Sequence, residues 1–240
     1  MNIQKFTKPA RRLLKLRYCG AVIVAAGNAS RMGGIDKVMA PLDGEPMIKR
    51  TVRAFEECPA IREIVVVTRQ DLLQPVMELC HSYEKVRAVV VGGVDRAESV
   101  RNGMNALSDK VRLVAVQDGA RPLVSWEVID RTVRAANTYH AAAPGIPVKD
   151  TTKIVKGGLV ESTPDRSTLR AIQTPQVFDF DLLRGALEQA KLENAPITDD
   201  CSAVERLGMK VKIVEGDERN IKVTTPMDLK IAQMLLEDMP

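Results

Sequence analysis

Aromatic residues are scarce in this 240-residue chain, which holds four Phe, three Tyr and one Trp. So few planar side chains do not furnish the stacking surface of a nucleic-acid binder. Cysteine is sparse as well. The four cysteines stand at 19, 58, 80 and 201 with no CxxC pair, and the two histidines, His81 and His140, are isolated. That excludes zinc-ligand spacing, a dithiol redox motif and a disulfide-built scaffold. Scattered cysteines of this kind read as small buried apolar residues in a reducing, cytoplasmic setting. Long apolar runs are missing too. The stretch 19–27 has nine residues, whereas a membrane-spanning helix needs about 20.

Nor is there much charge of one sign. Lys and Arg total 35 against 31 Asp and Glu, a net +4. Residues 1–17 carry Lys5, Lys8, Arg11, Arg12, Lys15 and Arg17 and no acid, so the rest of the chain is at −2, that is +4 less 6. A net-negative body argues against nucleic acid as a partner. The tail reads as a solvated basic extension, since it lacks the apolar core of a signal peptide and the serines of a transit peptide. The remainder, 18–240, has the length of one domain.

What is present is alternation. Apolar β-branched runs at 20–26, 63–68, 86–91 and 113–117 predict buried strands. Between them, helical spacing covers 46–58, 71–83 and 98–107, and Ser125 caps a helix running to about residue 139. Pro46 suits a first helical position. Continuous hydrophobic strands alternating with helices predict an α/β fold, a doubly wound and mostly parallel sheet covered on both faces. Its ligands belong beyond the carboxyl ends of the strands.

The pattern breaks after Ala143. Residues 144–177 hold four prolines and a Gly157-Gly158 turn between the runs 151–155 and 159–161, which predicts a protruding β-hairpin arm at 145–172. So small an arm cannot bury its own apolar residues and is expected to pack on a second copy of the chain. Helices follow at 182–192 and after a Thr198 cap, with Asp199 and Asp200 in the first turn favouring the helix dipole. A strand at 211–214 precedes a last helix capped by Thr225 with Pro226 at its first position.

The chemistry-bearing segment follows the first strand: AAGNASRMGGIDK, residues 25–37. Its small residues let backbone N–H groups approach phosphate, and it adds two cations, Arg31 and Lys37, six residues apart. GxGxxG is absent, and no GK[ST] closes the loop, so neither the dinucleotide fingerprint nor the Walker A pattern applies. Further segments come in order: GGVDRAESVRNG, QDGARP, PVKDTTK, DRSTLRAIQTPQVF, TDDCSAVE and EGDERNIKVTTPMDL.

Over residues 20–238 these segments resemble the nucleotidyltransferases, and most closely the 2-C-methyl-D-erythritol 4-phosphate cytidylyltransferase family. The resemblance implies a Rossmann-like nucleotidyltransferase fold and attack by a substrate phosphate oxygen on the α-phosphorus of CTP, with Mg²⁺ required. It implies catalytic roles for Arg31, Lys37, Arg166 and Lys222, the first two neutralising charge in the transition state. Backbone at Ala25, Ala26 and Gly27 would hold the triphosphate, and Gly93 and Ser99 would read the cytosine. On spacing alone, Ser99 is as well explained as a helix cap. Asp118 and Gly119 would stand by the nucleotide, and Asp118, Arg121, Thr151, Arg166, Thr174 and Lys222 by the methylerythritol phosphate. Phosphate oxygens would be the metal's main ligands. The family's arm reaches into the neighbouring subunit's site, so a homodimer is implied.

The chain departs from the family pattern in three places. The Arg31-to-Lys37 spacing is one residue short, Asn28 and Ala29 replace a Gly-containing pair, and Gly119 stands where Ala is usual, which predicts a looser turn. Two other functions compete: a ribitol-5-phosphate cytidylyltransferase, which shares the nucleotide chemistry, and a non-catalytic nucleotide-binding protein on the same fold.

Overall fold

The structure, a computed structural model, describes residues 15–27 and 38–238. Arg31, Lys37, Asn28, Ala29 and residues 1–14 of the basic extension lie outside the described residues. From the amino end come β1 (Cys19–Val24), a two-strand ribbon β2 (Pro41–Leu42) and β3 (Glu45–Pro46), then α1 (Met47–Glu57) and β4 (Ile61–Thr68). Next are α2 (Leu73–Cys80), β5 (Val86–Val91), α3 (Arg96–Asn105), β6 (Leu113–Asp118) and α4 (Trp126–Tyr139). The second half holds β7 (Ala141–Pro147), the hairpin β8 (Ile154–Lys156) and β9 (Leu159–Ser162), β10 (Arg170–Ile172) and β11 (Gln176–Asp179). It ends with α5 (Phe180–Leu192), α6 (Asp200–Arg206), β12 (Lys212–Glu215) and α7 (Pro226–Glu237).

The expected parallel centre is there, with β6–β1–β4–β5 in parallel register. Each of these strands feeds both faces of the sheet. In β1, Cys19, Ala21 and Ile23 join Phe55 of α1 and Ile129 of α4, while Val22 joins Val100 of α3 and Leu183 of α5. Period-two side chains with both faces covered leave no polar position, so the strand reads as an unbroken apolar run. Each fully buried Ile, Leu or Phe contributes about 1.5–3 kcal/mol.

The other flank differs from the expectation. β11 inserts antiparallel between β6 and β7, and β12 runs parallel along the far edge of β7. β10 and β11 share one edge of β7, but residues 173–176 stand opposite only 143–144. This bulge carries a cis Thr174–Pro175 peptide bond. Residues 145–147 and 170–172 therefore belong to the main sheet, and the projecting part lies between them. Its Gly157 and Gly158 take φ of 58° and 82°, the left-handed pair that a tight hairpin turn demands. Ile154, Val155, Leu159 and Val160 are all exposed on it.

Smaller expectations are corrected by local chemistry. Pro46 is the cap of α1 rather than its first residue. Asp199, not Thr198, caps α6, because Asp199 accepts from Ser202 N while the Ser202 hydroxyl accepts in return. Arg17 is no part of a solvated tail: its guanidinium pairs with Asp179 at 2.7 Å and also bonds Asn137. The Ser125 and Thr225 caps are where the sequence places them.

Candidate active site

β1, β4, β5 and β6 all point their carboxyl ends to one edge, where a cleft of about 420 Å³ opens. Parallel strands with crossover helices leave that edge to loops, and loops can be shaped for a ligand. Ala25, Ala26 and Gly27 line it from the end of β1, and Gly93, Ser99 and Lys222 from elsewhere. Small residues are required here for close approach. A Cβ on Gly92 would collide with Ala26 and come within 2.8 Å of the Ser99 hydroxyl.

Ser99 is not the helix cap. Asp95 is, accepting from Glu98 N at 2.7 Å. The buried Ser99 hydroxyl donates to Asp95 O at 2.8 Å and accepts from Gly93 N at 3.1 Å. Both of its bonding directions thus serve to shape the rim of the cleft between β5 and α3.

Asp118 is the electrostatic centre. It ends β6, is buried, and faces three cations: Lys222 Nζ at 2.9 Å, Arg121 Nε at 3.5 Å and Arg96 Nε at 3.7 Å. Burial by itself raises this carboxyl, but Lys222, Arg96 and Arg121 outweigh it and hold it below the ordinary range. Its backbone N–H donates to the Thr174 hydroxyl at 3.1 Å, so the bulge after β10 fixes the strand end. Thr174 is buried and acts here as a strut.

Lys222 arrives on a loop fastened at several points. Asn220 donates from Nδ2 to Thr174 O at 2.9 Å and accepts Arg121 Nη1 on its carbonyl at 2.6 Å. Gln173 Nε2 donates to Asp217 O at 2.7 Å, and Val223 N to Ala120 O at 2.8 Å. Arg121 is therefore turned inward, tying Asp118 to the Lys222 loop, and is absent from the cleft lining. Gly119 is not a loosened turn. It donates to Val24 O at 2.8 Å, accepts from Thr51 at 3.0 Å, and a Cβ there would meet Ala25 and Ile48 at 3.0 Å.

Within one chain, Thr151 and Arg166 stay on the exposed arm, where Arg166 Nη1 donates to Lys149 O at 3.0 Å. Neither lines the cleft. Two charged residues of the site were absent from the sequence-based set. Arg96 lines the cleft and pairs with both Asp118 and the fully buried Asp200. Its signal was a cation in the first turn of a helix, against the dipole.

Among the described residues no group of three acidic, His or Cys side chains converges. The described residues thus offer no cage for a hard cation, and both Asp118 oxygens already face cations.

Comparison with known proteins shows the family. Residues 19–238 match the family model for IspD, 2-C-methyl-D-erythritol 4-phosphate cytidylyltransferase. The protein of that name from Caldanaerobacter subterraneus subsp. tengcongensis is 44% identical over 222 residues, 90% of this chain and 97% of that one. Its namesake from Geobacillus kaustophilus is 44% identical over 219 residues, covering 90% and 96%. The crystal structure of 4-diphosphocytidyl-2C-methyl-D-erythritol synthase from Anaerococcus prevotii is similar with a TM-score of 0.85 at 31% identity, covering 92% of this chain and 96% of that one. The Thermus thermophilus cytidylyltransferase gives a TM-score of 0.75 at 30% identity, covering 90% and 98%. By sequence over nearly its whole length, and by fold, the chain belongs to the 2-C-methyl-D-erythritol 4-phosphate cytidylyltransferase family.

Proposed function

We propose that this chain transfers the cytidylyl group of CTP to 2-C-methyl-D-erythritol 4-phosphate in isoprenoid precursor synthesis. A phosphate oxygen of the acceptor attacks the α-phosphorus, the bond to the β-phosphate bridging oxygen breaks, and pyrophosphate leaves. The product is 4-diphosphocytidyl-2-C-methyl-D-erythritol. The observation that carries this reading is the Asp118–Lys222 pair at the carboxyl edge of a cleft that the small residues Ala25, Ala26, Gly27, Gly92 and Gly93 also line.

Such transfers depend on positioning and charge neutralisation more than on covalent chemistry by the protein. Backbone at Ala25–Gly27 receives the triphosphate, and the Gly92–Gly93 rim set by Ser99 receives the base. Arg31 and Lys37 neutralise charge growing on the α-phosphate and pyrophosphate. By analogy with an oxyanion-hole donor, each is worth about 2.7–4 kcal/mol of barrier. Lys222, held at the cleft by Asp118, draws in the acceptor phosphate. Mg²⁺ enters as the counter-ion of CTP, where its charge offsets that of the β- and γ-phosphates.

We place the working form as a homodimer. The exposed apolar face of the β8–β9 hairpin supports this, and a second copy would receive Thr151 and Arg166 at its cleft. Four buried, unpaired cysteines suit a cytoplasmic setting. No helix among the described residues is long and apolar enough to cross a membrane.

Pyrophosphate release from CTP and Mg²⁺ tests the reading, with methylerythritol 4-phosphate and ribitol 5-phosphate compared as acceptors. Release with the first alone is expected. Release with the second alone moves the protein to polyol activation, and none with either leaves only nucleotide binding. Lys222→Ala should lower kcat/KM by about 100-fold, as for a lost transition-state donor. Its thermal midpoint should fall only modestly, because the side chain is 42% exposed and Arg96 and Arg121 still face Asp118.

A further inference from the structure

Arg96 and Asp200 are the first residues of two different helices, α3 and α6, and the two helix starts face each other across the cleft wall. An arginine at a helix start opposes the dipole, so its retention needs a compensating contact. Arg96 has two. Its Nη2 pairs with Asp200 Oδ2 at 2.8 Å and its Nε faces Asp118 Oδ1 at 3.7 Å. Among the described residues its Nη1 has no partner, and the side chain lines the cleft. A planar guanidinium bridged on one edge presents the other edge in a fixed direction.

Asp200 is built to hold that bridge. It is fully buried, and neither of its carboxylate oxygens has a hydrogen-bond partner among the described residues, so its charge is met by the Arg96 ion pair at 2.8 Å. A carboxylate so placed is costly, and the fold keeps it there with several contacts. Asp199 caps α6 in a reciprocal box with Ser202. Gln176, two residues beyond the Thr174 strut, donates from Nε2 to Asp199 Oδ2 at 2.7 Å and accepts Cys201 N at 3.1 Å. The residues on both sides of Asp200 are therefore anchored to the strand that also fixes Asp118.

We infer that Asp200 is a positioning residue for nucleotide binding: it locks Arg96 against the cleft wall so that the free guanidinium edge meets an anionic or hydroxyl oxygen of the bound nucleoside triphosphate. The Asp200–Arg96–Asp118 chain then sets the nucleotide against the same carboxylate that holds Lys222, and Asp200 itself touches no substrate. The inference rests on the cytidylyltransferase reading, which the parent protein's own pyrophosphate release tests separately.

The test is steady-state kinetics on the full chain, varying CTP and the acceptor in turn, for Asp200→Asn, Arg96→Lys and the double variant. Asp200→Asn keeps the shape and releases Arg96. It should raise KM for CTP by about ten-fold or more, the loss expected for one charge-assisted hydrogen bond, and leave the acceptor KM within about two-fold. A purely structural defect would instead lower the active fraction, and with it kcat, for both substrates. Arg96→Lys leaves a cation beside Asp200 but cannot bridge, so it should show the same CTP-specific loss. The double variant should be no worse than either single one, since the two residues act as a unit. Parent-like KM for CTP in Arg96→Lys, whether or not Asp200→Asn folds, would overturn the proposal. So would losses that multiply in the double variant.

Discussion

Asp118 and Asp200 are two buried aspartates with opposite electrostatics. Asp118 sits among three cations and is held below the ordinary carboxyl range despite its burial. Asp200 is raised, because complete burial outweighs Arg96 and the nearby Asp118 and Asp199 charges add to it. The consequences for stability have opposite signs. A depressed carboxyl contributes stability that is fully present above the unfolded value, near 3.9, and is lost as pH falls through the folded value. A raised one costs stability at neutral pH and relieves that cost as the group protonates. Asp118→Asn removes the counter-charge that Lys222, Arg96 and Arg121 share, while Arg96 keeps Asp200 and Arg121 keeps the Asn220 carbonyl, and should cost about 1–3 kcal/mol at neutral pH. Urea midpoints of parent and variant should differ by a constant amount from about pH 7 to 5 and converge below about pH 4. A gap that widens on acidification would refute the Asp118 assignment. Asp118 and Lys222 were legible in the sequence through their motifs. The Asp200–Arg96 pair was not, since neither residue's own helix start points to the other and only the folded sheet brings the two together.

At the scale of elements, caps and turns decided where the sequence could be read to the residue. Ser125, Thr225 and the Gly157-Gly158 turn act through their immediate neighbours, so their effect is written locally. Thr198 and Asp199 were the harder case, two adjacent capping residues, and Asp199 prevails because Gln176 from β11 also binds it. Asp199→Ala should cost about 1–2 kcal/mol through the lost cap, read from chemical denaturation, and a neutral result would show the capping box to be idle. The arm makes a different prediction. Leu159 is 76% exposed in one chain, so Leu159→Asp should leave the monomer's thermal midpoint unchanged. It should weaken self-association by about 1.5–3 kcal/mol per buried leucine, seen as dissociation in sedimentation, with a parallel fall in turnover. An intact dimer at low micromolar concentration would place the interface elsewhere. Strands β7, β10 and β11 escaped the sequence because Pro144 and Pro147 lie in β7, Pro175 stands just before β11, and β10 and β11 are only three and four residues long.

Over the whole molecule, the two faces of the sheet enclose all four cysteines. Burial pushes the Cys80 thiol up to about 11, and raises Cys19, Cys58 and Cys201 as well. Thiol and no thiolate at neutral pH means no nucleophile, so the native protein should consume no Ellman's reagent at pH 8, and four equivalents once unfolded. Rapid native labelling would show that the core opens. The sequence by itself determined the alternating parallel centre, the family segments and the edge where the ligand belongs, because hydrophobic period, capping and glycine turns are short-range effects. Tertiary structure alone decided which charges meet. The antiparallel insertion of β11 brings the 173–176 bulge, the 217–223 loop and the start of α6 onto the end of β6, and an ion pair between distant residues exists only where the sheet order closes that distance.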